Sequence, residues 1–260
     1  MRVYISTDLE GISGVTLFDQ TRDDGPAYER ARHLLMGDIN AAAQGCLDGG
    51  ATQVCILDGH GRPLNVIPEE MHPGAEYIAG RGFPDHWGED TGFDCGMLVG
   101  SHAMNRTPDG VLYHTQTSRS DARYWYNDRE FGEIGQDAMI MGHFNIPVVL
   151  VTGDVAACRE AREFLGEPVV TVAVKQGYGR QCCKMIAPAK AREMIRAGAK
   201  EAMGRIGLCQ PLKMALPMRG RFEALTEELP DTATPEEVAA APHQVYEKVF
   251  EDQLQIYNFR

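Results

Sequence analysis

The sequence has 260 residues, of which 43% are hydrophobic and 24% charged, and its formal net charge is −12. Such a composition is typical of a globular protein with one large domain or two smaller ones. The acidic balance argues against nucleic acid and anionic membranes as partners, because both attract a basic surface. There is no run of about 18 apolar residues, as a transmembrane helix requires.

The start of the chain and its cysteines indicate a cytoplasmic protein. Met1 and Arg2 lead directly into a predicted strand, so we expect no signal peptide. The 7 cysteines include no CxxC spacing, which favours reduced thiols packed as small apolar groups. We therefore expect the protein to reside in the cytoplasm.

The first two thirds of the chain alternate predicted strands and helices, recognised by short apolar runs and by apolar residues at helical spacing. In chain order these are strand 3–5, helix 28–47, strands 53–57, 76–78 and 93–100, hairpin 123–131, helix 132–144, strand 147–151, helix 155–165 and strand 169–174. The segment 63–87 around strand 76–78 is predicted to be loop. The alternation predicts an α/β fold, a mostly parallel sheet flanked by helices.

The last third has a different character. A helix is predicted from Pro188 to about Ile206, with proline in its first turn. Residues 213–224 and 244–250 alternate polar and apolar side chains, as antiparallel strands with one solvated face do. We therefore predict an α/β domain over residues 1–180 and a second, smaller α+β C-terminal subdomain over residues 181–260.

The turn after the first strand carries two carboxylates, Asp8 and Glu10. Open α/β sheets bind their ligands at the carboxyl ends of their strands. Positions i and i+2 of an extended chain point to the same side, so the two side chains can converge. Two carboxylates that close repel each other unless a proton or a cation lies between them. The alternative is that one of them only caps or solvates the turn.

Other ligand-type side chains follow further predicted strand ends or begin a helix: Asp58, His60, His102, His114, Glu133 and Asp154. Imidazoles and carboxylates without a thiolate favour a hydrolytic metal centre over a structural zinc site. Each residue also has a simpler interpretation. His60 can be a solvent-facing turn residue, His102 a buried histidine with satisfied hydrogen bonds, and Glu133 a charge that favours the helix dipole. No HExxH motif is present, so the prediction depends on the joint pattern.

Several motifs together resemble the zinc-dependent D-aminopeptidase family of dizinc metallopeptidases. In family order they are Ser6–Gly14, Asp58–His60, Gly100–Ala103, Gly110–His114, Tyr126–Arg129, Gly132–Gly135, Pro147–Asp154 and Ala173–Gln176. The resemblance covers about residues 1–195. It implies an α/β domain with a second, smaller domain and assembly into a homo-oligomer, a decamer in that family.

The resemblance also assigns roles to residues. It implies that two Zn²⁺ ions per subunit are held by Asp8, Glu10, His60, His102 and Glu133, with Asp8 bridging them, and that His114 is the catalytic histidine. The expected function is a dizinc metallo-aminopeptidase that removes the N-terminal amino acid, of D configuration, from short peptides or amino-acid amides. A metal-activated water would attack, with His114 as base or nucleophile.

Two alternatives to this function stay open. One is a metal-dependent amidohydrolase that acts on another small substrate. The other is a non-catalytic peptide-binding protein of the same fold, which we would expect to have lost a metal ligand or His114. None of the six residues is lost in this sequence.

Overall fold

Two β-sheets and five α-helices make up the computed structural model, which describes residues 1–22, 24–61, 64–80, 92–230 and 233–259. The strands are β1 (Arg2–Thr7), β2 (Gln53–Asp58), β3 (Glu76–Ile78), β4 (Cys95–Ser101), β5 (Arg123–Tyr126), β6 (Arg129–Phe131), β7 (Val148–Asp154), β8 (Val170–Gly179), β9 (Cys182–Met185), β10 (Met218–Leu225) and β11 (His243–Phe250). The helices are α1 (Pro26–Asp48), α2 (Glu133–His143), α3 (Val155–Leu165), α4 (Pro188–Met203) and α5 (Pro235–Ala240). Short 3₁₀ helices lie at Phe18–Gln20, Pro68–Glu70 and Gln253–Asn258.

The larger sheet has the strand order β3-β2-β1-β4-β7-β8-β9. Its neighbouring strands run parallel except for β9, which pairs antiparallel with β8. From β1 the chain builds outward through β2 and β3, then returns to place β4 on the other side of β1. A reversal of this kind is a topological switch point, where open sheets form a crevice at their carboxyl edge.

Helices cover both faces of this sheet because side chains alternate along each strand. Val3 and Ile5 of β1 belong to an apolar core with α1 and α4. Tyr4, between them, belongs to a second core with α2 and α3 on the opposite face. The strands next to the switch point are therefore buried on both faces, which holds the chain ends beyond them in fixed positions.

The smaller sheet is antiparallel, with the order β11-β10-β5-β6, and shares a third apolar core with α2. Its β5–β6 hairpin turns at Asn127 and Asp128, both in the left-handed conformation with φ of 48° and 67°. This backbone geometry matches the twist of a tight hairpin and is tolerated best by asparagine, aspartate and glycine.

The predicted fold class is confirmed: a mostly parallel sheet flanked by helices, with a smaller sheet beside it. Strand 76–78 and hairpin 123–131 also form as predicted. The smaller sheet takes strands from both sides of residue 180, and β9 joins the larger sheet; the domain division at residue 180 stays a prediction. Of the predicted loop 63–87, residues 63 and 81–87 lie outside the described residues.

Among the described strands and α-helices, two were not predicted, β9 and the short helix α5, and the three 3₁₀ helices were not predicted either. None of the helices in the described part of the chain has both the length and the apolar character needed to cross a bilayer.

Candidate metal centre

A cavity of about 550 Å³ lies at the carboxyl ends of β1, β2 and β4, where the strand order reverses. The six residues predicted for the site all line it: Asp8, Glu10, His60, His102, His114 and Glu133. They come from three different strand ends, the start of α2 and the loop between β4 and β5. The structure thus brings together side chains that are up to 125 positions apart in the sequence.

Asp8, Glu10 and His60 form the first group of three possible metal ligands, with ligand atoms within 4.8 Å of one another. His60 Nδ1 lies 2.9 Å from Asp8 Oδ1 and 3.1 Å from Glu10 Oε2. The turn that carries the two carboxylates is pressed onto the end of β4, where Gly11 N donates to Gly100 O at 2.6 Å. A Cβ on Gly11 would lie 2.1 Å from Ser101 O, so only glycine permits this approach.

His102, His114 and Glu133 form the second group of three. Glu133 Oε1 lies 3.3 Å from His102 Nε2 and 3.8 Å from His114 Nε2. The two imidazole rings stack, with their centroids 3.9 Å apart. Asp8 connects the two groups, since its Oδ2 lies 3.4 Å from His102 Nε2 while its Oδ1 faces His60.

Backbone carbonyls fix the orientation of all three imidazoles. The contacts are His60 Nε2 to Thr21 O at 2.9 Å, His102 Nδ1 to Ala103 O at 2.9 Å and His114 Nδ1 to Leu112 O at 2.8 Å. A carbonyl oxygen can only accept, so in each ring this nitrogen carries the proton and donates. In the neutral ring the other nitrogen then points its lone pair into the cavity, the arrangement that orients metal-binding histidines.

The donor set of the cavity fits a divalent cation such as Zn²⁺. Among the described residues, Glu10 Oε2 and His102 Nε2 are buried and accept or donate no hydrogen bond. Lone pairs of imidazole nitrogens here face carboxylate oxygens at 2.9–3.4 Å, which is repulsive unless a proton or a cation lies between them. Nitrogen and oxygen ligands without thiolate match catalytic rather than structural zinc sites.

The first group shows how strongly the site needs positive charge. Burial, and next the charge of Glu10, raise the pKa of Asp8 to about 7. Burial also opposes ionisation of Glu10, but the neighbouring His60 outweighs it and holds the pKa of Glu10 well below its usual range. Burial disfavours the charged form of His60, and the two carboxylates outweigh it, so the pKa of His60 is well above its usual value. When no cation is bound, the raised pKa values of Asp8 and His60 favour a proton between the carboxylates and the imidazole instead.

In the second group the pKa values of the two histidines shift in opposite directions. Burial lowers the pKa of His102, but Glu133 reverses this and raises that pKa to about 10. In turn, burial raises the pKa of Glu133 and His102 lowers it to a net value of about 2. Burial, and next the charge of His102, lower the pKa of His114 to about 4, so His114 is a neutral imidazole at neutral pH.

The loop after His114 is held against α2 in a strained conformation. Gln116 has a φ of +65° and donates its backbone N–H to Glu133 Oε1 at 2.6 Å. Its side-chain amide donates to Gln136 Oε1 at 2.7 Å. Leu112, on the other side of His114, has a φ of +54°. Left-handed conformations of non-glycine residues cluster at functional sites, where the surrounding contacts impose them.

Two further strand-end carboxylates that the sequence analysis singled out support loops and do not line the cavity. Asp58 accepts hydrogen bonds from Asn65 and from the backbone of Val66, which holds these two residues against the end of β2. Asp154 caps α3 through Ala157 N and accepts from Val111 N at 2.6 Å, which anchors the loop that leads to His114.

The sequence analysis assigned no role to Lys175, which holds the backbone of the turn that carries Glu10. This lysine is buried, and its Nζ donates to the carbonyl oxygens of Glu10, Ile12 and Val15 at 2.5, 3.1 and 2.6 Å. Its three protons thus hold the whole turn that follows Glu10. Its position, directly after the mostly apolar run 169–174 and within β8, is a signal that the sequence does contain.

We predict that Lys175→Met destabilises the protein and weakens its affinity for metal at the first group. Three buried carbonyls would lose a charged donor, at a cost on the order of 3 kcal/mol in the free energy of unfolding. Urea denaturation and competition with a chelator measure the two effects. Lys190→Met is the matched control, because Lys190 is exposed and its ion pair joins it to Glu193 about one helical turn away. Equal behaviour of the two variants would contradict the supporting role.

A mostly parallel α/β sheet with two groups of imidazoles and carboxylates at its switch point has the ligands of a metal-dependent hydrolase. The model of the family Peptidase_M55, D-aminopeptidase, matches residues 1–248. A D-aminopeptidase of Bacillus subtilis (strain 168) is 35% identical over 216 residues, which are 82% of this chain and 77% of the relative. The chain therefore belongs to the D-aminopeptidase family, and the resemblance noted from its motifs is confirmed.

A solved structure agrees with this assignment. The Zn-dependent D-aminopeptidase DppA from Bacillus subtilis, described as a self-compartmentalizing protease, superposes with a TM-score of 0.84 at 28% identity. The match covers 99% of this chain and 94% of that one. The likeness thus extends well beyond residue 195, the limit of the resemblance noted from the sequence.

Proposed function

We propose that this protein is a dizinc metallo-aminopeptidase that removes the N-terminal amino acid, of D configuration, from short peptides or amino-acid amides. The observation that carries the proposal is the convergence of two groups of metal-ligand type on one cavity, connected by the two oxygens of Asp8. The family and the zinc dependence of DppA support the metal and the reaction class.

In this proposal Asp8, Glu10 and His60 would hold one zinc ion, and His102 and Glu133, with Asp8 shared between the two groups, would hold the other. When bound, the ions would polarise the scissile carbonyl and lower the pKa of water to about 7. The protein supplies the geometry: the carbonyls of Thr21 and Ala103 set the imidazole tautomers, and Gly11 and Lys175 fix the carboxylate turn.

His114 is proposed as the residue that moves the proton. Its Nε2 lies 3.8 Å from Glu133, farther than His102 Nε2, and so is less engaged with the carboxylates. The low pKa of about 4 keeps the ring neutral and able to accept a proton at neutral pH. The same neutral nitrogen can instead attack the carbonyl as a nucleophile, so both roles belong to the proposal.

Assembly and location complete the proposal. The self-compartmentalizing description of DppA supports a homo-oligomer, and we propose a decamer. The 7 cysteines are free, five of them buried, which supports the reducing cytoplasm as the location. Light scattering gives the mass of the assembly.

The function is tested with matched D- and L-aminoacyl p-nitroanilides and short peptides, with metal content measured on the same sample. We expect about two zinc ions per subunit, hydrolysis with preference for D residues, and loss of turnover after chelation with recovery on adding zinc. Two metals without turnover of any amide would favour a peptide-binding protein. Turnover of amides that lack an amino-acid residue, but not of peptides, would favour a different amidohydrolase.

A further inference from the structure

We propose that Glu160 is a positioning residue for zinc binding: it holds the imidazole of His102 in the orientation that binds metal, and it acts through the backbone next to that histidine. The inference rests on the proposed function and adds a residue that lies outside the cavity. Glu160 belongs to α3, and none of the described residues that line the cavity comes from this helix.

A single peptide group connects Glu160 to His102. Its N–H belongs to Met104 and donates to Glu160 Oε2 at 2.7 Å. Its C=O belongs to Ala103 and accepts from His102 Nδ1 at 2.9 Å. A peptide group is planar, so a bond that fixes the direction of the N–H also fixes the direction of the C=O. Hydrogen bonds in such a chain also polarise one another, which makes the carbonyl a stronger acceptor.

The consequence for His102 is a fixed ring with a fixed tautomer. Because Nδ1 donates to the carbonyl of Ala103, the lone pair of Nε2 is left for a metal. His102 Nε2 is buried without a hydrogen-bond partner and lies 3.3 Å from Glu133 Oε1, its neighbour in the second group. Glu160 thus orients a ligand of the second group from the far side of a peptide group.

Glu160 also packs against the residue that begins α2. A Cβ on Gly132 would lie 2.4 Å from Glu160 Oε1 and 2.5 Å from the Cβ of Met104. The carboxyl group therefore lies between the segment that carries His102 and the segment that carries Glu133. Its position influences the spacing of both ligands.

The hydrogen bonding of Glu160 favours this role over a contribution to stability. The residue is 4% exposed, and its Oε1 is buried without a hydrogen-bond partner in the described part of the chain. A buried carboxyl group with one oxygen unpaired lowers the stability of a fold. Its bond to the N–H of Met104, and through it to His102, accounts for a carboxyl group at this place.

The test measures the affinity of each zinc ion by competition with a chelator. Glu160→Met has a similar length but no oxygen, and should weaken one of the two ions by about 10- to 100-fold while the other stays unchanged. Glu160→Gln keeps an acceptor oxygen of the same reach and should stay close to wild type. Glu163→Met is the matched control, an exposed glutamate of the same helix.

Two further measurements separate orientation from a general loss of stability. Glu160→Asp withdraws the carboxyl group by about 1.5 Å and should weaken the same ion, which also tests the inference if the methionine variant does not fold. In the background of Glu10→Gln, which is expected to release the ion of the first group, Glu160→Met should weaken the ion that remains. A general loss of stability would weaken both ions and would lower the melting temperature of the metal-free protein.

The outcomes distinguish the inference from the proposed function. Wild type that binds fewer than two zinc ions, or that binds two without turnover of any amide, overturns the proposed function. With two ions bound by wild type, three results overturn the role of Glu160 alone: unchanged affinities in Glu160→Met, an equal loss at both ions, or a loss in Glu160→Gln as large as in Glu160→Met.

Discussion

Asp8→Asn is expected to remove both zinc ions from the protein and to abolish turnover. The two oxygens of Asp8 face different groups, Oδ1 toward His60 at 2.9 Å and Oδ2 toward His102 at 3.4 Å. Asparagine keeps the shape but offers one oxygen and an NH₂ group without negative charge. At least one group would then face a donor where it needs an anion, and the attraction between the metals and a shared carboxylate would be lost at both.

Glu10→Gln provides the comparison within the site. Of the three imidazoles of the site, His60 is the one that Glu10 Oε2 approaches, at 3.1 Å, so the loss of Glu10 should release one of the two proposed zinc ions and leave the other. Metal content after gel filtration, measured by inductively coupled plasma mass spectrometry, distinguishes about zero, one and two ions per subunit. Asp109→Asn, an exposed aspartate paired with Arg159, should keep both. Retention of two ions by Asp8→Asn would contradict a bridging role.

The location of the site could be predicted from the sequence because it follows from sheet geometry. Asp8, His60 and His102 lie one or two residues beyond the ends of β1, β2 and β4, and the carboxyl ends of parallel strands meet at one edge of the sheet. The strand order of β3-β2-β1-β4 then decides which ends are neighbours. A strand-end position alone does not define a role, since Asp58 and Asp154 occupy such positions and support loops.

Contacts between distant parts of the chain could not be predicted in this way. Lys175 reaches the carbonyl of Glu10 across 165 positions, and no local pattern specifies that contact. The same holds for the smaller sheet: alternation predicts β10 as an antiparallel strand, but pairing with β5 joins residues 94 to 100 positions apart. Periodicity describes one element at a time, whereas partners are selected by the packing of the whole core.

His114→Ala is expected to lower kcat by about 10²- to 10⁴-fold while both proposed zinc ions stay bound, because the variant lacks the group proposed to move the proton. Among the histidines of the site, His114 has the longest contact with a carboxylate, at 3.8 Å. The five proposed ligands, Asp8, Glu10, His60, His102 and Glu133, are untouched. His114→Gln fills the space of the buried ring better, so equal loss of activity in both variants would exclude a packing defect.

The pH dependence of this reaction gives a second measurement for His114. Its pKa of about 4 lies below the usual value near 6.5, so the basic form is fully present at neutral pH and is lost only as pH falls through about 4. Zinc at the neighbouring ligands carries the same sign of charge as protonated His102 and so keeps this pKa low. Wild-type kcat/KM should therefore show no acid limb near pH 6.5 from this histidine. An acid limb near that pH that disappears in His114→Ala would refute the neutral base.

The zinc content of His114→Ala tests whether His114 is instead a metal ligand. Its place in the second group permits that role, and loss of one zinc ion in the variant would assign it.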